Sequence, residues 1–399
     1  MNNILEMIKN EKVEWKKLGD VKEVKTVSAK KKYKKQEYLD KGLYPIIDQG
    51  QDFIAGYTND GNFLFDENSY VVFGDHTESI KYVDFRFAQG ADGIKVIKTC
   101  EEYINSKYLY HVLLNFYKIT GDYKRHFSNL KELEIPIPSL ETQDRIVKIL
   151  DTMVDHFTQI EAELEARNKQ YEYYRDKLLS EEYLNKLTKK FGGNVEWKKL
   201  YDIGIVSGAG VDKKINRGEE SIILLNYMDI YKNSYINSSI PSMVVTAKEN
   251  KIKECNVERG DIFITPSSET VEDIFMSAVV IEDIKNLVYS YHIMRIRLNN
   301  KNYITSCFLN YVFRAYEFRR KMFEKVYGNT RKTITKTEIE NLEIPIPPIP
   351  VQEHIVSVLD NFNKIVTDIN EGLPKEIELR KKQYEYYRER LLDFKRDDE

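Results

Sequence analysis

The chain has no run approaching the roughly eighteen apolar residues that a membrane span requires, and its first stretch, MNNILEMIKNEK, lacks the apolar core of a secretion signal. A cytoplasmic protein is expected. Cysteine is scarce: Cys100, Cys255 and Cys307 are odd in number and far apart, which excludes a disulfide framework and a zinc knuckle. All three are expected to be reduced core residues. The six histidines show neither HxxxH nor HxH spacing, so no metal centre is expected, and Asp75 with His76 reads as a polar turn. Catalytic signatures are missing as well. No GxxxxGK[ST] loop is present for ATP hydrolysis, and SGAG at Ser207 to Gly210 stands without the rest of a dinucleotide fingerprint. Neither the Asn/Asp-Pro-Pro-aromatic tetrapeptide of adenine methyltransferases nor the Pro-Asp and Glu-x-Lys pair of metal-dependent nucleases occurs. Ser267, Ser268, Glu269 and Thr270 have no histidine nearby to activate a nucleophile, and read as a loop of hydrogen-bonding groups. The chain is expected to carry out no covalent chemistry.

What the sequence does contain is a repeat. VEWKKL at Val13 to Leu18 returns at Val195 to Leu200, and LEIPIP at Leu133 to Pro138 returns at Leu342 to Pro347. The offsets are 182 and 209, so the region between the markers is 27 residues longer in the second half. After each LEIPIP comes a long apolar seam. Ile146, Leu150, Met153, Phe157, Ile160, Leu164, Arg167, Tyr171, Tyr174 and Leu178 step by four and three in turn, as a heptad helix does. Ile355, Leu359, Phe362, Val366, Ile369, Leu373, Ile377, Arg380, Tyr384, Tyr387 and Leu391 repeat the pattern, and QYEYYR recurs at Gln170 and Gln383. Such a stripe needs a partner helix, and each copy can serve the other. Arg167 and Arg380 stand on the seam, where a long stem can carry the charge out to water. Early pairs differ by 209 and late pairs by 213, a four-residue stutter. Gly372 and Pro374 stand there, so a kink or break is expected in the second helix.

The length of 399 residues suggests two or three domains, and 42% hydrophobic residues can supply their cores. Between the markers, Tyr70 to Phe73, Ile80 to Phe87 and Gly93 to Ile97 read as strands, and Ser106 to Tyr117 as a helix capped by Asn105 or Ser106. In the second region SIILLNYMDI, GDIFIT, SAVVI and YHIMRIRL read as strands, and 303 to 327 as helical. The alternating prolines of IPIP bar a helix or a central strand and predict a stiff extended connector into helices starting near Leu140 and Val351. The net charge of −3 hides two basic stretches: eight lysines from Lys22 to Lys41 and eight basic residues from Arg314 to Lys336. Local patches of this kind hold phosphates.

The doubled order of VEWKKL, a variable region, LEIPIP, Gln143 or Gln352, IVxxLD and a coiled-coil helix resembles the specificity subunit of type I restriction-modification systems. YPIIDQGQDFIAGYT from Tyr44, FGDHTESIKYVDFRFAQGADG from Phe73 and GNTRKTITKTEIENLEIPIP from Gly328 resemble its target recognition domains. The resemblance implies an α+β chain: two mixed α/β recognition domains, joined by two long helices in an antiparallel coiled coil, with a pseudo-two-fold internal repeat. The expected divisions are 1–138 and 191–347 for the domains, 139–190 and 348–399 for the helices. It also implies a role without catalysis, in which each domain reads one half of a bipartite site in double-stranded DNA. Two modification subunits would dock on the helices and methylate adenine with S-adenosylmethionine, joined by restriction subunits using ATP and magnesium. No cofactor is expected in this chain. A scaffold whose heads bind proteins is the other class of reading.

A helix of about 40 residues is roughly 60 Å long, and one DNA turn is about 34 Å, so such a spacer suits half-sites about a turn apart. Phosphate contact is expected from Lys30, Lys31, Lys32, Lys34, Lys35, Arg319, Arg320 and Lys332. Arg331, with Asn329 and Thr330 on the GNTRKT loop, is the strongest base-reading candidate, because arginine pairs bidentately with guanine and asparagine with adenine. Gln49, Gln51, Tyr57, Thr58, Asn226 and Ser268 complete the set. Ile146, Leu150, Phe157, Leu164, Tyr171, Tyr174, Leu178, Ile355, Leu359, Phe362, Val366, Ile369, Tyr384, Tyr387 and Leu391 are expected in the helix interface.

Overall fold

The computed structural model describes residues 2–90, 93–367 and 372–396. Their contacts divide the chain into two units, Met1–Ala162 with Lys375–Glu399, and Glu163–Pro374. Each unit therefore takes one head, the start of the helical arm that follows it, and the end of the other arm.

The two sequence markers turn out to be strand partners. Glu14–Lys17 pairs antiparallel with Glu134–Ile137, and Glu196–Lys199 pairs with Glu343–Ile346, in two-stranded ribbons. The IPIP connector is extended as expected, but it is also a strand. Proline is admitted because the Leu18 N–H donates to the Leu133 carbonyl (2.8 Å), which makes Trp15 and Pro136 a pair that exchanges no backbone hydrogen bond. Gln143 then locks arm to head. Its side-chain oxygen accepts from the Asn105 N–H (2.9 Å), and its nitrogen donates to the carbonyls of Pro138 (2.9 Å) and Tyr103 (3.1 Å). Gln352 repeats the clamp with Thr305, Pro347 and Tyr303.

In the first head one sheet has the order Val24–Val27, Ile94–Thr99, Tyr70–Gly74, Ile80–Val83, and a second has Gly56–Thr58, Tyr44–Ile47, Phe87–Gln89, Leu64–Phe65. The run from Ile80 to Phe87 is thus two strands in different sheets, with Val83 and Phe87 buried in one cluster. Helix Ser106–Phe116, capped by the Asn105 side chain, packs Tyr108, Leu109, Val112 and Leu113 on Val71, Phe73 and Ile135. Ile146 and Leu150 of the first arm and Tyr384 and Leu391 of the second close the same core.

The second head has a five-stranded sheet, Gly204–Ser207, Met294–Leu298, Ile262–Ile264, Ser277–Val280, Tyr235–Ile236, and a three-stranded one, Met243–Ala247, Glu220–Leu225, Leu287–Tyr289. SIILLNYMDI is only half strand. Asn226 and Asp229 form a capping box that starts helix Tyr227–Lys232. The 303 to 327 region is two helices, Ser306–Arg314 and Tyr316–Phe323.

The first arm is one helix, Leu140–Leu178, of 39 residues. The second is divided into Ile349–Thr367 and Leu373–Leu391, with Pro374 in the first turn of the later helix, where its missing N–H removes no helical bond. Within the first unit Phe157 meets Tyr384 edge-on (6.0 Å between centroids) and Glu161 pairs with Lys381 (2.6 Å). Numbering rises on one arm as it falls on the other, so the helices run antiparallel. In the second unit Tyr174 stacks on Phe362 (5.3 Å), Tyr171, Leu178, Ile355 and Leu359 are buried, and Leu164 is half-buried. Tyr387 is half-buried in the first unit. The side chain of Val366 and the whole of Ile369 lie outside the described residues. Arg167 and Arg380 turn outward and bond Glu163 and Gln170, and Glu376 and Gln383, on their own helices.

One polar contact recurs at both arms. His111, buried on the head helix, bonds Asp151 of the first arm (3.3 Å) and the Tyr384 hydroxyl of the second (3.0 Å). Tyr311 holds the matching place in the second unit and donates to Asp360 (2.5 Å), alongside Tyr235. Burial lowers the His111 imidazole below its usual 6.5, reinforced by Lys107 and Arg388 and opposed by Asp151. The sign follows: the unfolded chain takes up this proton first, so the stabilisation is complete above about pH 6.5 and falls as pH drops below it. Thermal melts between pH 8 and 5 are expected to show a loss of stability that is smaller in His111→Asn.

Cys255 is buried and Cys307 half-buried, but Cys100 is exposed. It stands just after strand Ile94–Thr99, where its thiol donates to Glu102 (2.9 Å).

Candidate nucleic-acid interface

The GNTRKT stretch of the second head is a short closed loop. Tyr327 and Thr333 exchange backbone hydrogen bonds (3.1 and 2.9 Å), and Lys332–Thr333 pairs with Ser267–Ser268. Gly328 has φ +101°, and a Cβ there would overlap the Arg331 carbonyl oxygen, so glycine is required for the turn. Asn329, Thr330 and Arg331 are exposed on it. Arg331 is steered by a bond from its Nε to the Ser267 hydroxyl (3.2 Å), and its terminal nitrogens have no partner among the described residues.

This loop forms one wall of an open cleft of about 620 Å³. The cleft also takes Ser268, Thr270, Asp273, Lys213, Tyr227, Tyr231 and His292. Tyr227 and Tyr231, one turn apart on helix Tyr227–Lys232, lie with nearly parallel rings (6.0 Å, 16°). The Tyr231 hydroxyl donates to Asp273 (2.8 Å), which also accepts from Thr270 (2.6 Å). Those two donors hold the Asp273 carboxyl below its usual value. Burial lowers the His292 imidazole, and Lys213 and Arg331 lower it further against Asp212, so two fixed cations bear on this site. Aromatic faces, hydroxyls and cations around an open cleft are the groups that read base edges and phosphates.

The other candidates divide by what already occupies them. Arg319 is half-buried, with its guanidinium donating to the carbonyls of Glu272 and Ile274 (3.2 Å to the latter). It braces the segment that carries Asp273. Arg320 lies between Glu317 (3.1 Å) and Glu324 (3.2 Å) of its own helix. Asn226 is buried and its side chain caps the helix that bears Tyr227. Lys332 donates to the Gly328 carbonyl (2.9 Å) and helps close the loop.

In the first head Lys30, Lys32, Lys34, Lys35 and Gln51 are exposed, while Lys31 lies over the Tyr33 ring (4.1 Å) and reaches Asp60 (3.4 Å). Thr58 is buried and accepts from the Asp60 N–H (3.1 Å). Tyr57 is half-buried, its backbone bridged to Leu39. The Gln49 side chain accepts from the His76 N–H (3.3 Å), and its carbonyl accepts from the Thr77 and Ser79 hydroxyls. Thr58 and Gln49 are thus held within the fold. Asp75 accepts from the N–H groups of His126 (3.0 Å) and Phe127 (2.9 Å), distant in sequence, and so bonds beyond its own turn.

Lys213, Tyr227, Tyr231 and His292 escaped the sequence reading. Recognising the Asn226 and Asp229 spacing as a helix start would have placed the two tyrosines on one face; nothing in the sequence links Lys213 or His292 to the loop.

The class follows from these features: a non-identical pair of heads on a repeated helical frame, one carrying an open cleft lined by cations and aromatic rings. The model of the type I restriction modification DNA specificity domain matches residues 10–170 and again 193–379. The Escherichia coli EcoR124I/EcoR124II specificity subunit is 30% identical over 99% of this chain and 97% of its own length. Two solved chains share the fold. A Mycoplasma genitalium type I restriction-modification S subunit has a TM-score of 0.53 at 15% identity, covering 97% of this chain and 98% of its own. A chain from a type I restriction-modification assembly study scores 0.56 at 14% identity, covering 96% and 98%. The chain belongs to the type I restriction-modification specificity subunit family and carries two of its DNA specificity domains.

Proposed function

We propose that each head reads one part of a bipartite, asymmetric sequence in double-stranded DNA, and that the arms fix the number of unread base pairs between the parts. The cleft around Arg331 carries this reading, because its exposed arginine, amide and hydroxyls offer hydrogen bonds in the patterns that distinguish base edges. The dissimilar heads fit an asymmetric site. The chain itself carries no catalytic step. Modification subunits docked on the arms supply S-adenosylmethionine-dependent adenine methylation, and restriction subunits supply ATP- and magnesium-dependent cleavage.

Sequencing the methylated adenines of a host carrying a complex built with this chain tests the reading: a two-part motif with a fixed gap is expected, and modification without regard to surrounding bases refutes it. The gap has its own test. Deleting four residues where the second arm divides shortens a helical path by up to about 6 Å and is expected to change the gap; an unchanged gap refutes the arms' role in setting it.

A further inference from the structure

The internal repeat lets each surface be compared with its twin, and one pair differs in what covers it. In the first unit the segment after the second arm crosses the face of Trp15. Phe394 is buried in the core, the Lys395 carbonyl accepts from the Trp15 indole N–H (3.3 Å), and the Arg396 guanidinium lies over the indole ring (4.5 Å). Arg396 also pairs with Glu134 of the ribbon (2.7 Å).

In the second unit the corresponding groups are Trp197 and Glu343, at the same places in VEWKKL and LEIPIP. Here the chain takes another course. Ser180 caps helix Glu181–Lys190, which directs Tyr183, Leu184 and Leu187 into the core, so the position matching Phe394 is Glu181. Trp197 is left 42% exposed, and among the described residues its indole N–H has no acceptor, its ring no cation and Glu343 no ion-pair partner. Beside them opens a cleft of about 420 Å³, floored by Leu179, Val312, Phe318, Met322 and Leu342. Tyr316, the counterpart of the Phe116 that meets Trp15 edge-on (5.6 Å), is exposed as well.

We propose that the Trp197 cleft is a docking site for a segment of a partner protein that seats an aromatic side chain in the apolar floor and lays an arginine, two residues on, across Trp197 and against Glu343. The occupant's chemistry is set by the twin: the equivalent indole and acid hold Arg396 in the first unit, and Val112, Leu133 and Leu392, the counterparts of Val312, Leu342 and Leu179, belong to the apolar cluster that takes Phe394, while Phe318 and Met322 extend the floor in the second unit alone. A second copy's own tail is disfavoured as occupant because that tail is engaged within its own unit. The cleft is separate from the Arg331 loop, so the inference does not depend on how DNA is read.

The probe is the amidated peptide LLDFKR, residues 391–396 of this chain, added to the full-length protein. In the Trp15→Phe chain Trp197 is the remaining tryptophan, and a saturable shift in its emission is expected. Calorimetry on the unaltered chain should show one site, weakened at least tenfold by Glu343→Lys and by Trp197→Ala, an exposed position whose truncation leaves the core intact. A peptide with Phe394→Ala and Arg396→Glu is expected not to bind. The proposal is overturned if LLDFKR does not bind saturably, if the altered peptide binds equally, or if both protein variants bind LLDFKR as the unaltered chain does.

Discussion

A complex assembled with Arg331→Ala is expected to methylate its site about 5- to 150-fold less efficiently at matched concentration, the equivalent of about 1–3 kcal/mol, and to tolerate substitutions at one base pair of one half-site. The side chain is exposed and its one bond among the described residues is to Ser267, so truncation removes the guanidinium without unfolding the loop that Gly328 and the Tyr327 to Thr333 pairing close. Lys213→Ala should behave differently. A lysine acting as a point charge on phosphate weakens binding evenly across sequences and reduces the salt slope by about one. Methylation rates on a set of duplexes, each with one base pair changed, separate the two results. If Arg331→Ala lowers all rates equally, the residue holds phosphate; if it lowers none, the loop does not meet DNA.

The second large effect concerns the first unit. Glu78 is 2% exposed and has φ +56°. Burial works against its charge, but the carboxylate accepts from the Tyr117 hydroxyl (2.7 Å), the Thr120 and Gly121 N–H groups (3.0 and 2.9 Å) and the Thr120 hydroxyl (2.9 Å). The donors prevail and hold the group at about 2, from an ordinary 4.5. A folded value below the unfolded one means the stabilisation is complete above about pH 4.5 and disappears as pH falls through about 2. At 1.36 kcal/mol per pH unit the difference amounts to about 3 kcal/mol. Glu78→Gln is therefore expected to lose about that much at pH 7 and to flatten the acid side of the stability profile. Urea unfolding of both chains from pH 7 to 3 measures it, and parallel profiles would show that the carboxylate is not the source.

The frame was legible in the sequence because its signals are local and periodic. Heptad steps placed the first arm from Leu140 onward, and Gly372 with Pro374 marked where the second divides. Strands were read less well. Ile80 to Phe87 looks continuous because every residue type in it suits a sheet, yet the chain changes sheets after Val83. The site was legible by composition and illegible by occupancy. Arg319, Arg320 and Arg331 are one residue type in one basic stretch, and only the fold shows that carbonyls hold the first, carboxylates the second, and a single hydroxyl the third. Asn226 shows the same difference: its amide is of a type that suits adenine, and only the fold shows its oxygen accepting from the Met228 N–H of its own helix (2.9 Å).

The ribbons bear on how such a chain can change its target. Leu18 and Leu133 are joined by a backbone hydrogen bond, as are Leu200 and Leu342, so polypeptide departs for each reader and comes back at neighbouring points. The polypeptide in between is seated on that stalk and, through one helix, on the arms beside it, like a lamp on its fitting. A longer lamp that keeps that one helix leaves the fitting where it was, which accounts for 27 more residues in the second reader on a frame otherwise repeated.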